Sequence, residues 1–129
     1  MTYADSYTHV ETITASGATT YSDWIDISWA NEIYSFLTYV EAETGSSEAV
    51  DVTLERYVPF ATPTATTVLT HTQATGATTE EKHGVWFDGS APGAENKLGM
   101  RVRWKFISSG TFASDQVITM TMTLYAKRN

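Results

Sequence analysis

The chain has 129 residues, 42% of them hydrophobic and 18% charged, which is the size and composition of one globular domain, 1–129, and not of a disordered tract. The absence of cysteine excludes disulfides, thiolate metal sites and a cysteine nucleophile, and fits assembly in a reducing cytoplasm. A net charge of −7 argues against nucleic acid as a partner, and no apolar run approaches the roughly 20 residues of a membrane span.

At the N-terminus, "MTYADSYTHVE" lacks the basic start and apolar core of a signal peptide, so an uncleaved end is expected. Beyond it, apolar residues recur with a period of 2, and β-branched and aromatic residues abound; both predict strands. Eight are predicted: 8–15, 21–28, 33–42, 50–58, 64–71, 83–88, 98–107 and 116–126. Turn-rich segments such as "SGATT", "TGSSEA", "GSAPGAENK" and "SSGTFASD" separate them. "SWANEIYSFL", around 28–37, is a helix candidate, but its pattern favours strand. Eight short strands with Gly, Pro and Ser turns predict an all-β antiparallel two-sheet sandwich, of jelly-roll type or, second, immunoglobulin-like.

The charges are unevenly placed. Residues 1–55 carry ten acids and no Lys or Arg, and residues 56–129 carry five acids and all eight bases, leaving the halves at −10 and +3. In "LGMRVRWKFISS", 98–109, Met100, Val102, Trp104 and Phe106 fall on one side and Arg101, Arg103 and Lys105 on the other. Pairing this strand with 116–126 as a hairpin, Trp104 opposite Met120, sorts apolar from polar residues on both strands. A second predicted hairpin joins 33–42 to 50–58. In it Val50, Val52, Leu54 and Val58 alternate with outward Asp51 and Glu55, and Glu41 and Glu43 share a face with Leu37 and Tyr39. Acids gathered on one outer surface repel. A basic strand beside them, in the same chain or across a subunit boundary, relieves that repulsion. Arg101, Arg103 and Lys105, with Glu41, Glu43, Asp51 and Glu55, are therefore the candidate interface residues.

No catalytic constellation is present, and an enzyme is not expected. The three histidines, His9, His71 and His83, lack metal-ligand spacing, although His71 and His83 can meet across neighbouring strands. No serine sits in a GxSxG or SxxK frame. The loop "DGSAPGAEN" offers Asp88, Glu95 and Asn96 as oxygen ligands without matching the calcium loop, so neither metal nor cofactor is expected. Trp24, Trp29 and Trp86 are candidates for stacking on sugar rings if they are exposed; a core role is the alternative for each.

The stretch "YSDWIDISWANEIYSFLTYVEAETGSSEAVDVTLERYVP", 21–59, with the later "LGMRVRWKF" and "VITMTMTLYAKR", resembles a pattern of small tailed-phage structural domains. In that pattern a tryptophan-containing strand leads to an apolar strand, a Thr/Gly/Ser turn, a "V-x-V-x-L-E" strand, an "L-x-x-R-V-R-W" strand and a Thr-alternating strand. The chain looks like a capsid decoration (cement) protein of jelly-roll type over roughly 20–126. The resemblance implies a non-enzymatic virion protein, assembled in the host cytoplasm and seated on the outer capsid surface, often as a homotrimer. There it would stabilise the shell by binding the lattice of the major capsid protein. On that reading residues 1–10 are either an arm that adds a strand to a neighbouring chain or the first strand of the chain's own sandwich. The alternative is a tail, fibre or carbohydrate-binding sandwich domain.

Overall fold

The structure, a computed structural model, describes residues 3–42, 46–57, 65–76, 80–86 and 101–128, the side chains at 3, 46, 85 and 86 excepted. The described residues form nine strand segments and no helix. They are β1 (Tyr3–Ile13), β2 (Thr19–Tyr21), β3 (Ile25–Asp26), β4 (Glu32–Glu41), β5 (Ser46–Tyr57), β6 (Thr66–Thr70), β7 (Glu80–Trp86), β8 (Arg101–Thr111) and β9 (Ile118–Arg128).

One antiparallel sheet has the order β1-β9-β4-β7, the other β2-β8-β5-β6, with β3 beside β2 on the same edge of β8. β2 and β3 are one strand interrupted at Ser22, Asp23 and Trp24, so nine segments make eight strands. At the break the Ser22 hydroxyl accepts the Trp104 backbone N–H at 2.9 Å, and the Ser22 N–H donates to the Trp104 carbonyl at 3.0 Å. A side chain thus completes the ladder where the backbone departs from it. Consecutive strands cross from one sheet to the other except β5 and β6, which are neighbours. This nested order is that of a jelly roll built from Greek keys. The expected all-β sandwich of about eight strands is the one observed.

Both predicted hairpins are corrected. β8 pairs with β5, placing Trp104 opposite Leu54, while β9 pairs with β1 and β4, placing Met120 opposite Glu11 and Tyr39. β8 and β9 lie in opposite sheets and turn the same apolar residues toward a shared interior. Likewise β4 and β5 belong to different sheets. The reason is physical. Alternation fixes which face of a strand is buried, but it is equally satisfied by a hydrogen-bonded neighbour and by a strand across the sandwich. Residues 3–10, an arm or a first strand on the sequence, lie in β1, paired along β9 from Tyr3↔Arg128 to Ile13↔Ile118.

The core lies between the sheets. Val102, Trp104 and Phe106 of β8, Val50, Val52 and Leu54 of β5, Ile33 and Leu37 of β4, and Ile118, Met120, Met122 and Leu124 of β9 are all fully buried. Each contributes about 1.5–3 kcal/mol by leaving water. One strained corner is specified by glycine. Opposite the register shift between Ser46 and Ala49, Gly110 has φ +89°, and a Cβ there would sit 2.0 Å from the Ser47 carbonyl oxygen. No other residue fits that bulge.

Candidate functional site

The outer face of the β8 sheet carries the arrangement with most chemistry. Alternation turns Arg101, Arg103 and Lys105 away from the core, and register decides what each meets. Arg103 lies opposite Glu55 and donates from Nε to its carboxylate at 3.1 Å; Lys105 Nζ is 3.8 Å from the same group. Glu55 is 8% exposed although it points outward, because the two cationic stems lie over it. Arg101 lies opposite Tyr57 on one side and Asp26 on the other. The Ser28 hydroxyl and backbone N–H bind the Asp26 carboxylate and, with Arg101 nearby, hold it below the usual carboxylate range.

Aromatic rings interleave with these cations. The Arg103 guanidinium sits 4.0 Å from the Tyr21 ring centre and 4.4 Å from that of Trp24; Arg101 sits 5.0 Å from Tyr57 and 5.8 Å from Trp24. Trp24 and Tyr57 also touch, with centres 5.7 Å apart. The result is a preorganised plate of Tyr21, Trp24, Tyr57, Arg101, Arg103 and Lys105. Such Tyr, Trp and Arg combinations dominate binding energy at protein contacts.

The remaining predicted residues are dispersed. Asp51 is exposed on the same face and accepts a hydrogen bond from Gln73 at 3.0 Å. Glu41 is not beside the stripe: it ends β4 in the other sheet, where it accepts from Tyr39 Oη at 3.1 Å and Gln116 Nε2 at 3.3 Å. There it helps to line an acidic groove with Tyr39, Glu48, Gly76 and Glu80. Trp29 packs against the core. Glu43, the Trp86 side chain, and Asp88, Glu95 and Asn96 lie outside the described residues. Tyr21, Tyr57 and Asp26 were missed on the sequence because their place beside the cations depends on β8 pairing with β2, β3 and β5, not with β9.

A second cluster sits at the other edge of the sandwich. His71 and His83 do meet, with ring centres 5.0 Å apart, and Glu81 joins them. Glu81 was overlooked, although "EKH" puts it on the same face of β7 as His83. The carboxylate lies 2.7 Å from His83 Nε2 and 3.4 Å from His71 Nδ1, and accepts the Thr72 N–H at 3.0 Å. Burial opposes its charge, but the bonds from Thr72 and His83 prevail and hold the Glu81 carboxyl down at about 2. Burial pushes the His71 imidazole below its usual value against the pull of Glu81. His71 Nε2 is 2.7 Å from Ser35 Oγ, which accepts the Trp104 indole N–H at 2.8 Å. The two histidines that the sequence allows to meet thus do so, and Glu81 brings a third possible ligand group to them.

No family model matches this sequence, and no curated protein matches it in sequence. Solved structures do match in shape. A chain from the disulfide-linked pili of Bacillus endospore appendages has a TM-score of 0.46 at 17% identity, over 100% of this chain and 92% of that one. A chain of infectious bursal disease virus, Gx strain, has 0.51 at 14% identity, over 100% of this chain and 32% of that one. A chain of that virus's VP2 subviral particle has 0.44 at 13% identity, over 100% and 37%. This chain spans about a third of the length of the viral chains it matches. The likeness to the Gx-strain chain is one of fold.

Proposed function

We propose that this chain is a non-enzymatic structural protein that decorates a phage capsid, docking on the major capsid protein lattice through the outer face of the β8 sheet. The observation that carries this reading is the plate of Tyr21, Trp24, Tyr57, Arg101, Arg103 and Lys105. It is already ordered, with guanidiniums held against aromatic rings that stand beside them on the same face. A partner presenting carboxylates meets donors already held in place, at little further cost in side-chain entropy. The jelly roll supports the reading as a fold recurrent in capsids, shared here with a viral chain.

The placement of the tryptophans favours protein contact over sugar stacking. Trp24 has both guanidiniums against its ring, and Trp29 is packed inward. The acidic groove at Glu41, Glu48 and Glu80 and the cationic plate occupy different surfaces of one chain. Distinct complementary surfaces are what a head-to-tail ring requires, and a homotrimer is the proposed form.

Disrupted particles separated by sedimentation test the reading. The chain is expected with the heads, in copy numbers that are multiples of three. Co-sedimentation with tails would replace it with the tail or fibre alternative.

A further inference from the structure

We propose that His71, Glu81 and His83 form a divalent transition-metal site that clamps the two sheets together at the β6–β7 edge. The proposal is independent of the capsid reading. His71 directly follows β6 in one sheet, whereas Glu81 and His83 lie on β7 in the other. No ladder joins β6 to β7, so a bound ion ties edges that the backbone leaves separate.

The ligand atoms of the three residues lie within 4.8 Å of one another. A tetrahedral centre with bonds of about 2.0–2.1 Å places them roughly 3.3 Å apart. Rotation of the His83 ring, 37% exposed, closes the gap without disturbing the core. The other two groups already point inward. His71 is 3% exposed, and its Nδ1 and Glu81 Oε2 are buried atoms that face each other at 3.4 Å, with no other hydrogen-bond partner. A contact that long satisfies neither atom well. A cation between them satisfies both.

The supporting contacts fit a metal ligand. His71 Nε2 faces Ser35 Oγ, which fixes the ring and leaves Nδ1 for the ion. The Ser35 hydroxyl has two lone pairs, so it can accept from both the Trp104 indole and a His71 Nε2–H. Two imidazoles and one carboxylate suit zinc, nickel or copper better than calcium or magnesium, which prefer all-oxygen shells. A chain without cysteine gains from such an ion the cross-link that a disulfide provides elsewhere.

The test is titration of zinc into the full chain after chelator treatment, followed by calorimetry and histidine nitrogen NMR. One zinc per chain is expected, with a higher melting temperature and conversion of His71 to the Nε2–H form with Nδ1 coordinated. His83→Ala, at the exposed ligand and so compatible with folding, is expected to weaken binding at least about tenfold; loss of mere supporting contacts costs a metal site 10–100-fold. His9→Ala, on β1, should bind as wild type. No saturable binding at 100 µM zinc, or equal binding by His83→Ala and wild type, overturns the proposal.

Discussion

Trp104 shows how far a single residue can be read before its surroundings are known. Its place in the alternation of "MRVRWKF" assigns it to the interior, and it is fully buried. What alternation does not reveal is that its indole N–H needs a partner, which Ser35 supplies from the opposite sheet at 2.8 Å. Trp104→Ala should therefore cost about 3–5 kcal/mol in urea unfolding. Thr121→Ala, on the outer face of β9, should cost under about 0.5 kcal/mol. Equal small costs would place Trp104 outside the core. Tyr39 makes a separate prediction. Burial, and then the neighbouring Glu41, push its phenol above its usual value of 10.0. A raised folded pKa gives stability that is complete below pH 10 and is lost as pH rises toward the folded value. The melting temperature of wild type should fall between pH 10 and 11 more steeply than that of Tyr39→Phe.

At the scale of elements, strand positions and buried faces were legible, and strand partners were not. Met120, Met122 and Leu124 were assigned inward beside Val102, Trp104 and Phe106, and all are buried. The error lay in the connection. "SSGTFASD" reads as a hairpin turn, but the connection into β9 is a corner between sheets, which Gln116 closes. Its buried amide accepts the Ala113 N–H at 3.0 Å and donates at 3.3 Å to Glu41, at the end of the strand that β9 joins. Nothing local in the sequence distinguishes such a glutamine from one in an exposed turn. Engineered cysteine pairs separate the two topologies, because a disulfide requires Cα atoms within about 4.4–6.8 Å. Thr53→Cys with Lys105→Cys, directly opposed on β5 and β8, should oxidise to an intramolecular disulfide. Lys105→Cys with Thr119→Cys, the partner in the predicted hairpin, should stay reduced. The opposite result would restore the hairpin.

For the whole molecule, the charge asymmetry resolves in part inside the fold. Glu55 and Glu32, from the acidic part of the chain, pair with Arg103, Lys105 and Lys127, from the basic part. The cationic stripe was legible as a stripe. Its conversion into a plate was not, because Tyr21, Trp24 and Tyr57 reach it from two other strands. The stripe is also more than a neutraliser of its own sheet, since Arg101 spends its charge largely on aromatic faces. The most direct measurement is the binding of Arg101→Gln/Lys105→Gln to heads stripped of this chain, read beside its melting curve. The pair Arg103–Glu55 is left intact, and exposed pairs contribute only about 0–1 kcal/mol each. Melting should therefore shift by no more than a few degrees. Binding should weaken at least about tenfold, a loss of about 1.4 kcal/mol that repetition across a lattice amplifies. Binding equal to that of wild type, with the fold intact, would contradict docking through this face.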